Sequence, residues 1–242
     1  MAIHHSSGKW SDRDFVRVWD SQPTNLLKVE QLDILAAVIR ENWRKGNRIL
    51  DLGCGTGKTE ERILERLPVA RFTCVDRSDV MLGFARKRLS AHAKQCRFVT
   101  ADLSRLEQLE LPEAPFRFVV LVDVVHELTG PRKRRLVRFC RQNLERDGFL
   151  LILDRIAVDL KSLSPAHAAV LHRLQHVTDS RTGQLSDGFA DPRQRDHEHP
   201  LALEPYLRML RTCGFEPAVL HLHFHKALFA ARPVSPVTPR RR

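Results

Sequence analysis

The chain has 242 residues, 43% of them hydrophobic, enough to bury one substantial core and to suggest a single elaborated domain. No apolar run approaches the roughly 18 residues of a membrane span, and the opening "MAIHHSSGKWSDRDF" lacks a leader's apolar core, so a cytoplasmic protein is expected. The net charge of +11 is local: residues 131–141, "PRKRRLVRFCR", carry six basic side chains and no acid, and the chain ends in three arginines.

Cys54, Cys74, Cys96, Cys140 and Cys213 lie far apart, which argues against a disulfide framework or a Cys-x-x-Cys metal site. In chain order, Leu27, Leu32, Leu35, Val38 and Ile39 recur at helical spacing, so residues 1–46 form an N-terminal segment with a lead-in helix. A first strand follows near 47–52. Then come a helix over 57–67, a strand at 71–76, a helix at 79–92 and a strand at 96–102. "PFRFVVLVDVV" (115–125) is a nearly unbroken apolar strand, followed by a basic helix at 131–144 and a strand at 148–156.

Strands that are apolar throughout are buried on both faces, and their alternation with helices predicts an α/β fold. We expect a doubly wound, mostly parallel sheet whose ligand-binding core is 47–156. The alternation breaks over 157–205, which is rich in histidines and turn residues and is expected to be a cap insertion over a substrate site. A helix within 203–215, stopped by Gly214, and strands within 216–231 complete the sheet in a 206–233 unit. Residues 234–242 are expected to be a disordered tail.

The turn after the first strand, "DLGCGTGKT" (51–59), sets the ligand problem. A triphosphate loop would need its first glycine at Leu52, and Asp51 would repel phosphate oxygens. A dinucleotide fingerprint counted from Gly53 places Lys58 where only a small residue packs. What remains suits a compact cationic ligand: Gly53, Gly55 and Gly57 offer bare backbone, and Asp51 offers charge. Asp76, at the end of the second strand, is placed to accept ribose hydroxyls.

These residues, with "DRSDVML" (76–82), "TADL" (100–103) and "LVDVVHEL" (121–128), resemble the motifs of the class I S-adenosylmethionine-dependent methyltransferases. The resemblance is firm over 48–156 and extends to "HPLALEPYLRMLRTCGF". It implies a Rossmann-like, seven-stranded fold and S-adenosyl-L-methionine as cofactor. The cofactor residues it implies are Asp51, Gly53, Cys54, Gly55, Thr56, Gly57, Asp76, Arg77, Met81, Asp102, Leu103, Asp123 and Val124. Asp102 would bond the adenine amino group and Leu103 would line the ring.

Methyl transfer from a sulfonium is an in-line displacement that needs positioning more than acid–base chemistry. A hydroxyl or ammonium acceptor must still lose a proton. His126, just past the fourth strand, is the candidate base, with Glu127 second. His221, His223 and His225 alternate and could share a face, but they fit the polar face of a terminal strand opposite Leu220, Leu222 and Phe224, so no metal is assigned. The Asn/Asp-Pro-Pro-aromatic signature of nucleic-acid amino-methylation is missing, as is a Pro-Cys nucleophile. A small-molecule acceptor is therefore expected. An RNA-modifying enzyme and a non-catalytic cofactor-binding regulator remain as alternatives, the first testable at Arg132, Lys133, Arg134 and Arg135.

Overall fold

The computed structural model describes residues 6–22, 24, 26–158, 165, 166, 169 and 198–234. A 3-10 turn at Ser6–Ser11 leads into α1 (Arg13–Ser21), whose N-cap Asp12 accepts from the amides of Asp14 and Phe15. Next come α2 (Leu26–Glu41), β1 (Ile49–Leu52), α3 (Lys58–Arg66), β2 (Phe72–Asp76), α4 (Asp79–Arg88) and β3 (Cys96–Thr100). β4 (Phe116–Val122), α5 (Gly130–Asn143), β5 (Leu144–Ala157), the short β6 (Leu201–Ala202), α6 (Leu203–Thr212), β7 (Phe215–His223) and β8 (Lys226–Pro233) follow.

The strands form one sheet in the order β3-β2-β1-β4-β5-β8-β7, with β6 paired to β5 beside that path. β1 to β5 are mutually parallel; β8 runs antiparallel to β5 and β7 antiparallel to β8. This is the expected Rossmann-like architecture. Helices cover both faces because the strands are apolar on both. Leu35 and Ile39 of α2 and Ile63 of α3 pack with Ile49, Phe118 and Val120 on one face. Leu136 and Val137 of α5 and Tyr206 and Leu210 of α6 pack with Leu50, Val119 and Leu121 on the other. Strand order reverses at β1, so the carboxyl ends of β1 and β4 open a crevice between diverging connections.

Several expectations need correction. β4 ends at Val122 rather than at 125, because Asp123 adopts a left-handed φ of 58° that takes it out of the sheet. The helix foreseen at 79–92 stops at Arg88 and continues as a 3-10 turn over Ser90–Gln95. β5 begins at Leu144, directly after α5. Helix α1 had no counterpart in the sequence reading. Most of the 157–205 cap, with the tail beyond 234, lies outside the described residues.

The histidine strand also differs. A register irregularity between Val219 and His221 and a left-handed Phe224 (φ 49°) break the alternation. Leu220 and Leu222 are exposed, while the His221 ring meets the amide of Gln31 at 3.1 Å, and His225 falls in the turn between β7 and β8. Among the described residues no helix is long and apolar enough to cross a membrane.

The glycine turn depends on backbone conformation, with φ of 87° at Gly53, 56° at Gly55 and 83° at Gly57. A Cβ on Gly55 would meet open space, whereas one on Gly53 would collide with the Val124 side chain. Gly55→Ala should therefore cost about 1–2 kcal/mol from handedness alone. Gly53→Ala should cost more, seen as a lower urea midpoint. Equal midpoints for the two variants would contradict this assignment.

Candidate functional site

A cavity of about 520 Å³ opens at the carboxyl ends of β1, β2 and β4. Thirteen of the residues singled out by sequence line it: Gly53, Cys54, Gly55, Thr56, Asp76, Arg77, Met81, Asp102, Leu103, Asp123, Val124, His126 and Glu127. Asp51 and Gly57 do not. Gly57 instead starts α3, pressed against Ala85 and Leu89.

Asp51 departs from its expected position for a reason inherent in strand geometry. Side chains alternate along β1, so Asp51 points to the same face as Ile49, into the α2–α3 layer rather than along the crevice. There it meets Glu60 of α3, and both carboxyls are buried. Burial is the main reason both titrate above the usual carboxylate range, with their mutual repulsion adding for Asp51; Glu60 is pushed up to about 7, against hydrogen bonds that include the Cys74 thiol. Two facing buried carboxyls are satisfied by a shared proton.

Asp76 closes β2 and anchors the turn. One carboxylate oxygen accepts the Gly55 amide at 3.0 Å, the other the Ser78 amide at 2.9 Å, and burial raises its pKa against those bonds. Each oxygen keeps a second lone pair for a ligand hydroxyl. Asp102 is exposed at the far side of the cavity; burial opposes its charge slightly, but hydrogen bonds from Ser104 hold its pKa down.

The β4–α5 connection carries a polar chain that sequence reasoning did not assemble. His126 is 4% exposed, and its Nδ1 lies 2.5 Å from Asp154 Oδ1 in the middle of β5. Asp154 is fully buried, and its second oxygen accepts the Tyr206 hydroxyl of α6 at 3.1 Å. Because a carboxylate only accepts, Nδ1 is the nitrogen that carries a proton toward Asp154. Nε2 lies 4.0 Å from Glu198 Oε1, and Glu198 is held by Arg155 at 2.6 Å. A carboxylate inside the apolar run "GFLLILDRI" was the available signal, since such a group needs buried partners.

Asp123 pairs with Lys28 of α2 at 2.7 Å and with Lys226 of β8. Burial works against its charge, but the two ammonium groups win and hold its pKa well below the usual range. Asp123, His126 and Asp154 offer donor atoms within 4.8 Å of one another, a spacing that could suit a metal. The two lysines on Asp123 and the Tyr206 hydroxyl on Asp154 already use those carboxylates, so the cluster suits proton holding better than cation binding.

Lys133 also corrects the basic-segment reading. It is 1% exposed and donates to the carbonyls of Val125 and Leu128, each at 2.5 Å, on either side of His126. Burial lowers its pKa to about 8. Lys133 thus clamps the connection that carries His126 and cannot meet a phosphate backbone; Arg132, Arg134, Arg135 and Arg138 are exposed. Part of the cavity wall is also new: Trp10, Phe15 and Trp19 of the N-terminal segment line it.

A glycine turn, Asp76 at the end of β2 and the anchored His126 ring thus line one crevice. Comparison with known proteins gives the family. Residues 49–148 match the family described as a methyltransferase domain. The trans-aconitate 2-methyltransferase of Acidovorax sp. (strain JS42) is 38% identical over 143 residues, 57% of this chain and 52% of that one. A malonyl-[acyl-carrier protein] O-methyltransferase of Halalkalibacterium halodurans is 32% identical over 103 residues, 43% of this chain and 37% of that one. The chain thus spans about half or less of the curated relatives it matches. Among solved structures, magnesium protoporphyrin IX methyltransferase of Synechocystis PCC 6803 with bound SAH superposes with a TM-score of 0.61 at 18% identity, covering 95% of each chain.

The buried acid pair gives a stability prediction. Glu60 titrates near 4.5 when unfolded and at about 7 when folded, so between those values the folded state holds the extra proton. Stability should fall as pH rises through that window, by on the order of 2–3 kcal/mol. Glu60→Gln should flatten the decline in chemical denaturation at pH 5 and pH 8. A wild-type stability that rises with pH across this window would refute the shared proton.

Proposed function

We propose that this chain, a member of the class I S-adenosylmethionine-dependent methyltransferase family, methylates an oxygen of a small-molecule acceptor, with His126 as the base. When bound, the donor supplies a methyl group activated by its sulfonium. The protein's share is to place and deprotonate the acceptor and to keep water out.

In this reading the ribose hydroxyls donate to the free lone pairs of Asp76, and Asp102 with Leu103 bounds the adenine. The bare backbone of Gly53 and Gly55 admits the amino-acid arm, and the Asp51–Glu60 pair acts from behind the turn without touching it. Arg77, Met81, Cys54, Thr56 and Val124 close the sides. Asp123, fixed by Lys28 and Lys226, orients the inner end of the cavity.

The observation that carries the proposal is the His126 ring in the cavity lining, anchored through Nδ1 to Asp154 and with Nε2 on the side of Glu198, another lining residue. Nε2 can take the acceptor's proton as oxygen attacks the methyl carbon, and the imidazolium formed lies between Asp154 and Glu198. Glu127, exposed at the cavity edge, has no such anchor among the described residues and ranks below His126.

A second reading is favoured by Lys28, Lys226 and Arg155 in the cavity wall and by the relatives named for trans-aconitate and malonyl groups. An acid acceptor would share those cations with Asp123 and Glu198 and need no base, since its carboxylate is already ionised at neutral pH.

Ligand binding, acceptor labelling and variant kinetics test these readings. Calorimetry should show S-adenosylhomocysteine binding, with ATP and NAD weaker; the reverse order would overturn the donor. Small-molecule extracts incubated with methyl-labelled donor identify the acceptor. With a hydroxyl acceptor, His126→Ala should lower turnover about 10²-fold or more while S-adenosylhomocysteine affinity is retained. Its pH–rate profile should lose the acidic limb, because only neutral imidazole accepts a proton. Unchanged turnover would remove His126 as base and favour the carboxylate reading.

A further inference from the structure

The N-terminal segment, residues 6–22, forms one wall of the cavity but is poorly anchored by packing. Helix α1 buries a single side chain, Val16. Its rings instead pack on each other at the cavity: Trp10 lies edge-on to Phe15 and to Trp19, with centroids 5.4 Å apart in both pairs. What ties the segment to the body is polar, and every tie lands on an element that frames the donor crevice. Ser78 Oγ, two residues beyond Asp76, donates to the Trp10 carbonyl at 2.6 Å. Lys58 Nζ, at the start of α3, donates to the Gln22 carbonyl at 2.9 Å and sits 5.3 Å from the Trp19 ring centre.

The third tie is Arg88, the last residue of α4. Its Nη2 holds both oxygens of Asp20 at 2.8 and 2.9 Å, its Nη1 holds Glu61 of α3 at 2.7 Å, and its Nε donates to the Thr56 carbonyl inside the glycine turn at 3.0 Å. One planar guanidinium thus joins the segment, α3 and the turn, and Arg88 itself does not line the cavity. The site lies at the carboxyl end of α4, where a cation is favoured by the helix dipole. A lysine could not span four acceptors with its single ammonium.

We propose that Arg88 is a positioning residue that couples the N-terminal segment to the glycine turn, so that the donor is retained only while the segment is latched over it. The proposal rests on the donor assignment made above. Because α1 has little apolar anchoring, the Arg88–Asp20 pair decides whether Trp10 and Trp19 stay over the crevice. Because the same guanidinium holds Thr56, a turn set by bound ligand also sets the fork that grips Asp20.

The test is the release rate of S-adenosylhomocysteine, measured by surface plasmon resonance on the full chain. Asp20→Asn should speed release about tenfold. Arg88→Lys should do the same without rescue, and adding Asp20→Asn to it should have little further effect. Asp33→Asn is the control: Asp33 pairs with Arg62 at 2.6 and 2.8 Å on the α2–α3 face, away from the segment, and its loss should leave release unchanged.

A second readout follows the segment itself. The chain has three tryptophans, and Trp43→Phe leaves only Trp10 and Trp19. In that background S-adenosylhomocysteine should protect the emission from acrylamide quenching, and Asp20→Asn should abolish the protection. Release from Asp20→Asn at the wild-type rate, equal acceleration by Asp33→Asn, or full additivity of Asp20→Asn with Arg88→Lys would each overturn the latch while leaving the donor assignment standing. Failure of the wild-type chain to bind S-adenosylhomocysteine would overturn the donor assignment, and the latch with it.

Discussion

A carboxylate within an apolar sheet cannot stand unpaired, and the cost of leaving Asp154 without donors governs how the His126 side of the cavity is assembled. Asp154 is fully buried on β5, between β4 and β8. Its oxygens are satisfied from opposite directions, by His126 from the β4–α5 connection and by Tyr206 from α6. Those two donors pin a connection and a helix to the same point of the sheet. Lys133 then fixes the connection from its other side through the Val125 and Leu128 carbonyls. The position of the His126 ring is therefore overdetermined, which is what preorganised proton transfer requires.

The donor half is organised by a different constraint, bare backbone held in left-handed conformations. Gly53 approaches Val124 too closely for any side chain, Gly57 is pressed on α4, and Gly55 is pinned to Asp76. Behind this turn lies the Asp51–Glu60 proton pair, and across it lies the aromatic wall tied down through Arg88. The turn is thus held between a buried, proton-holding acid pair on one side and a polar, arginine-centred latch on the other.

Much of this was legible in the sequence, because local pattern determines it. Unbroken apolar strands alternating with helices gave the sheet, and glycine spacing with acids at strand ends located the crevice. Two misplacements were correctable from periodicity alone. Asp51 shares a face with Ile49 at period two, and Lys133 lies on the buried stripe with Leu136, Val137 and Cys140 at helical spacing. Other features were not legible because they depend on distant pairing. Asp154 meets His126 across 28 residues, Lys226 meets Asp123 across 103, and Arg88 meets Asp20 across 68. The alternation of His221, His223 and His225 misled because a bulge and a left-handed Phe224 interrupt it.

The account depends on which nitrogen of His126 bears the proton. Nitrogen-15 shifts of the imidazole at neutral pH, with S-adenosylhomocysteine present and assigned by comparison with His126→Ala, report this directly. The account predicts a neutral ring protonated at Nδ1, hydrogen-bonded to Asp154, with a free lone pair at Nε2. A ring protonated at Nε2 instead would leave no acceptor facing the cavity and would contradict the assignment of His126 as base.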